Sequence, residues 1–178
     1  MRLKAILTAL VVAASLTAGA VAATTKDPLR IVLRPADVPA GKGTRGYLPT
    51  FDRALRPLGL QTKTAYFAYN LYKGTTRAKH VSGMVVVTPS RAQARRVYAL
   101  LKEEAAAEAA RTTRLASLGD QQLVTLTREH DPDVLVLRNT VVWQVGIRAL
   151  GLEAYTRVQA LKELRGYARK QKLRVGSG

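Results

Sequence analysis

Cysteine is absent from all 178 residues, and that absence excludes several chemistries at once. Disulfides, thiolate metal sites and cysteine nucleophiles are ruled out, as is a lipid-anchored leader, which needs a cysteine. Histidine is scarce, with only His80 and His130. Neither stands in a GxSxG or HExxH context. Acidic side chains are few, 12 against 29 lysines and arginines. A strongly apolar run of about 20 residues, the length a spanning helix needs, is missing as well.

What is present begins with a leader. Arg2 and Lys4 precede an apolar run from Ala5 to Val12 and on through Leu16, and Ala20-Val21-Ala22 offers small residues for cleavage. That is the order of a secretory signal peptide. It predicts a signal peptide over 1–22, a mature chain from Ala23, and a secreted or extracytoplasmic protein. The formal net charge is +17, and loss of Arg2 and Lys4 leaves +15. So strong a field favours anionic partners: envelope polymers, lipid headgroups or nucleic acid. Solubility alone explains the same charge. Export argues against routine DNA contact, and no nucleic-acid-binding motif is present.

The chain is organised around His80–Ala110. Val81–Val87 reads as a strand buried on both faces, stopped by Pro89. Ser90 with Gln93 three residues on has the capping-box pattern. Ala94, Val97, Tyr98, Leu101 and Ala105 follow as the stripe of an amphipathic helix from Arg91 to Ala110. Its charges oppose the macrodipole, with Arg91, Arg95 and Arg96 early and Glu103, Glu104 and Glu108 late. One reading is an anion site of helix N–H groups and arginines; the other is solvated surface charge. The three glutamates read as a solvated face.

Residues 23–60 read as a turn-rich N-terminal segment with a short helix at Pro49–Pro57, closed by Gly59. Leu29–Leu33 is an apolar segment at the domain edge. Lys42–Gly46 reads as a basic loop and lacks the ending and spacing of a P-loop. Residues 61–178 form the main domain. Thr64–Tyr72 is a strand whose Phe67, Tyr69 and Leu71 point one way, with Tyr66, Ala68, Asn70 and Tyr72 facing water or a cleft. Tyr66 and Tyr72, beside the basic Lys73, Arg77 and Lys79, form a candidate stacking face. Those three basic residues join the arginines as anion-site candidates. Tyrosine is also an ordinary strand former.

Arg111–Ser117 reads as a connector and Gln121–Thr127 as a strand. Glu129, His130, Asp131 and Asp133 fall in a tight turn whose spacing matches no metal motif. No metal or cofactor is expected. Val134–Leu137 and Val141–Ile147 make a hairpin, with Trp143 packing against a helix. The last helix, Leu152–Leu173, buries Ala154, Val158, Leu161, Leu164 and Ala168, pairs Glu153 with Arg157, and ends in the basic Arg169–Arg174, which fits a helix C-terminus or an adhesive tail. The fold class expected is α+β: a single antiparallel sheet of about five strands with two long helices packed on one face.

The strand running into a helix over Met84–Leu101, the Leu118-Gly119-Asp120 turn, the VLVLRNTVVW hairpin and the closing Ala168–Lys172 segment together resemble secreted domains related to the extracellular sensor domain of PknH-type kinases. Those domains carry disulfides and this chain has none. The resemblance implies a cleft-bearing, non-catalytic ligand-binding domain. The function expected is therefore a secreted binding or sensor-like module of the cell envelope for an anionic or small ligand, with membrane-surface contact in reach. The alternatives are a secreted hydrolase and a non-specific polyanion or nucleic-acid binder.

Overall fold

A computed structural model describes residues 26–38, 41–73, 76–127, 131–149 and 156–177. The leader over 1–22, Glu129, His130, Glu153 and Ala154 lie outside them. The strands are β1 (Gly41–Tyr47), β2 (Lys63–Lys73), β3 (Thr76–Val87), β4 (Arg111–Thr113), β5 (Gln121–Leu126), β6 (Pro132–Arg138) and β7 (Val141–Ala149). They form one seven-stranded sheet in the order β1-β2-β3-β7-β6-β5-β4, with every neighbouring pair antiparallel. Among the described residues four α-helices accompany it: α1 (Pro28–Ile31), α2 (Pro49–Leu55), α3 (Arg91–Glu108) and α4 (Arg157–Ser177).

The α+β class and the single antiparallel sheet are as the pattern predicts, but the sheet has seven strands rather than five. The two additional ones, β1 and β4, are its edges. Lys42–Gly46, expected as a basic loop, lies within β1, which pairs with β2 from Gly41–Leu71 to Tyr47–Ala65. Arg111–Thr113, expected as connector, pairs with β5. Both are mostly exposed, so neither carries the apolar alternation by which a strand is recognised. Glycine and arginine on an outer strand also discourage further strand pairing.

The expectation that both long helices share a face is corrected. On β7, Val141, Trp143, Val145 and Ile147 belong to one core together with Ala160, Leu164, Ala168 and Val175 of α4 and Ile31 of α1. Val142 points the other way, into a second core with Val86, Leu135 and Leu137, under Phe51 and Leu55 of α2 and Ala94, Val97, Tyr98 and Leu101 of α3. Strands apolar on both sides need a cover on both sides, so α3 and α4 take opposite faces.

Locally, α3 begins as expected: the Ser90 hydroxyl accepts from the Gln93 N–H at 3.3 Å. Only half of the capping box forms, because the Gln93 side chain accepts from the Gln61 N–H instead, at 2.7 Å. Gly59 closes the α2 region at φ 69°, a left-handed conformation that glycine adopts without strain.

The stripe of α4 is also corrected. Its buried residues are Ala160, Leu164, Ala168, Gln171 and Val175, while Val158 is 77% exposed and Leu161 only partly covered. The deciding residue is polar. Gln171 is fully buried, its Oε1 accepting from the Leu33 N–H at 3.1 Å and its Nε2 donating to the Ile31 carbonyl at 2.7 Å. A buried amide is tolerated when its bonds are made, and this one fastens the segment after α1 to α4. The basic end of α4 is partly turned inward: Arg174 pairs with Asp37 at 2.5 Å, Lys170 Nζ donates to the Asp37 carbonyl at 2.6 Å, and Lys172 Nζ to the Ser117 carbonyl at 3.0 Å.

Gln171→Leu strands the Ile31 and Leu33 backbone groups and lowers stability in urea denaturation by about 2 kcal/mol. A Cβ at Gly83 would stand 2.0 Å from the Gln144 carbonyl oxygen, whereas one at Gly166 in α4 meets nothing within 4 Å. Gly83→Ala is therefore expected to lower the melting temperature, by an overpacking cost of about 1–3 kcal/mol, and Gly166→Ala to raise it through helix propensity, by roughly 0.5–1 kcal/mol.

Candidate functional site

The helices α2 and α3 cover only part of their sheet face. Past Leu101 the residues of α3 towards the sheet shrink to Ala105 and Ala109, and a groove opens between the helix end and the strands. Its volume is about 480 Å³, within the range of roughly 300–1,000 Å³ common for small-molecule sites.

Register explains why there is space. One rung across the sheet aligns Ala68, Ser82, Gly146, Asp133 and Thr125. Three of these positions carry alanine, serine and glycine, so the floor lies low. The adjacent rung aligns Tyr66, Met84, Gln144 and Leu135, bulkier residues that border the hollow. Leu48 and Phe51 close it from the α2 side, and Leu101, Glu104, Ala105, Glu108 and Ala109 from α3. Leu126 and Thr127 complete the lining at the β5 end. The body of the groove is apolar.

Its polar end is an ion-paired cluster. Arg148 Nη2 donates to Asp133 Oδ2 at 2.5 Å, and the guanidinium stands 4.0 Å from Asp131. Gln144 Nε2 reaches Asp133 Oδ1 at 3.5 Å, and the Ala149 N–H donates to Asp131 at 2.9 Å. The Asp133 carboxyl lies over Gly146, where a Cβ would meet Asp133 Oδ1 at 2.0 Å. Burial pushes the Asp133 carboxyl above its ordinary value, against the opposing pull of Arg148 and Gln144. Farther along the same face, His80 Nδ1 lies 2.9 Å from Asn70 Oδ1.

The residues proposed from sequence are dispersed. Tyr66 lines the groove. Tyr72 is 42% exposed, outside the lining, with Lys42 Nζ 5.7 Å from its ring centre. Arg91 pairs with Asp120 at 3.0 Å, Arg96 donates to the Leu58 carbonyl at 2.7 Å, and Arg95 is exposed. These three occupy the start of α3, whereas the groove lies at its other end. Lys79 pairs with Glu163 of α4 at 2.6 Å, on the opposite face of the sheet. Lys73 and Arg77 stand near the β2–β3 turn, their side chains outside the described set. Of the turn cluster, Asp131 and Asp133 are described, and both face Arg148 rather than open water.

Sequence reasoning missed Met84, Gln144 and Arg148 and read Asp133 as a turn residue; it placed Glu104 and Glu108 on a solvated face, and both line the groove, Glu104 half-buried and Glu108 exposed. Their common signal is the alignment of small residues across three strands, which becomes visible only once the register is known.

No protein-family model matches the chain, and no curated protein does. Among solved structures it is similar to the extracellular domain of PknH from Mycobacterium tuberculosis, at 15% sequence identity and a TM-score of 0.46, over 79% of this chain and 80% of that one.

The Asp133 environment predicts a pH effect with a definite sign. A carboxyl whose folded value is raised keeps its proton longer when folded, so its contribution to stability falls as pH climbs from the ordinary range, about 3.9, through the folded value. Asp27 and Asp37 are lowered: burial raises each, but hydrogen bonds and nearby cations outweigh it. Their contributions are present above the ordinary range and are lost as pH falls through the lowered values. Urea midpoints measured from pH 3 upward, at steps of about half a unit across the carboxylate range, are expected to lose the fall on the high-pH side in Asp133→Asn while keeping the acid-side loss.

Proposed function

We propose that the protein is an exported, non-catalytic binding module of the cell envelope whose site is the groove between the end of α3 and the sheet. The observation that supports this reading is the groove itself: about 480 Å³ of largely apolar space with one hydrogen-bonding corner at Asp133, Gln144 and Arg148. An apolar body with few convergent polar groups is the usual make-up of a site for a small molecule. The ligand proposed is accordingly small and amphipathic, its chain lying along Leu48, Phe51, Met84 and Leu126.

The expectation of a small ligand draws on the groove, and that of an anionic partner draws on net charge. For the basic exterior, the partner proposed is an anionic envelope polymer or lipid surface met by electrostatic attraction, which salt weakens. Nucleic acid is not proposed. Export from the cytoplasm rests on the leader pattern at 1–22.

The test is a thermal-shift measurement with octyl-chain amphiphiles below their micellar concentration, repeated on two variants that fill the groove from different sides, Ala68→Trp on the strand and Ala105→Trp on the helix. The wild type is expected to gain melting temperature with ligand and each variant to lose that gain. Equal shifts in wild type and both variants, or no shift with any amphiphile, overturn the reading.

A further inference from the structure

Resting on the groove as the ligand site, we infer that its ligand carries a cationic group, an ammonium or guanidinium, on its apolar body. The chain has a large excess of lysine and arginine, so its carboxylates have cations to choose from, and most of the described ones take one. Asp27, Asp37, Asp120, Asp131, Asp133 and Glu163 each stand in an ion pair, and Asp52 is held by the hydroxyls of Thr62 and Thr64. Among the described residues Glu103, Glu104 and Glu108, all in the last half of α3, have no cation partner. Two of them, Glu104 and Glu108, line the groove.

Their placement concentrates negative potential. Four residues apart on one helix, the two carboxylates share a face and repel each other. They sit towards the C-terminal end of α3, where the macrodipole is itself negative. Among the described residues the only cation in the groove lining is Arg148, which is engaged by Asp133 and Asp131. The Tyr66 ring lines the same hollow, and an aromatic face attracts a cation further. A cationic head at the α3 rim, with its chain along the apolar floor, satisfies both features. Charge complementarity is thus the reverse of what the protein's overall charge suggests: the groove has an acidic rim in a basic molecule.

The experiment compares three probes with one chain, octylammonium, octyl glucoside and octanoate, titrated below micellar concentration into the full-length protein at low and high salt by calorimetry. Wild type is expected to bind octylammonium roughly tenfold more tightly than octyl glucoside, the effect of one half-buried and one exposed carboxylate, with the difference narrowing in salt. In the Glu104→Gln/Glu108→Gln variant the ammonium advantage is expected to vanish while octyl glucoside affinity stays as in wild type. Glu103→Gln, outside the groove, serves as the control and is expected to keep the advantage. Equal affinity for ammonium and glucoside in wild type, or a preference for octanoate, overturns the cationic assignment and leaves the groove reading standing. Absence of binding by all three overturns both.

Discussion

The fold depends on the burial of its central strands from both sides. β3, β6 and β7 carry apolar residues at successive positions: Val85, Val86 and Val87, then Val134 to Leu137, then Val141, Val142 and Trp143, all nearly inaccessible. Such strands are stable only inside a three-layer arrangement. The requirement places α4 on one face and α2 with α3 on the other, and it leaves the thinner, polar strands β1 and β4 at the edges. It also explains why the segment from Ile31 to Leu33 is drawn under α4. Its apolar side chains complete the α4 core, and its backbone finds partners in the Gln171 amide.

The groove arises where that covering stops. On the α3 side the cover is apolar up to Leu101, and beyond it the helix has alanines over the sheet, with Glu104 and Glu108 also lining the hollow. The strands beneath answer with alanine, serine and glycine on one rung, so neither layer reaches the other. A hollow between rigid elements differs from a gap left by a loop, because its walls are set by hydrogen-bonded strands and a capped helix. Ligand sites built on such elements hold their geometry better than sites built on loops.

Much of this was legible in the sequence, and the boundary is instructive. The valine runs, the Ser90 cap, the Ala94–Leu101 stripe and the Gly59 closure are local signals, and each marks its element correctly. Three features were not legible, for different reasons. β1 and β4 are strands by pairing rather than by pattern, so Gly41–Tyr47 shows no alternation. Gln171 interrupts an apolar stripe with a polar residue whose bonds are made to backbone more than 130 positions away, so periodicity chose the wrong face at Val158. The groove needs cross-strand register: nothing local connects Ala68, Ser82, Gly146 and Thr125, and Asp133 reads as a turn residue until Arg148 is seen opposite it.

The position of the sole tryptophan sets what can be seen by light. Trp143 is wholly buried beneath α4, its indole N–H without an acceptor among the described residues, and the sheet stands between it and the groove. Its emission is therefore a reporter of the α4 layer, shifted to the blue while that layer is dry. The protein carries its own gauge of folding, set on the far side of the sheet from the groove.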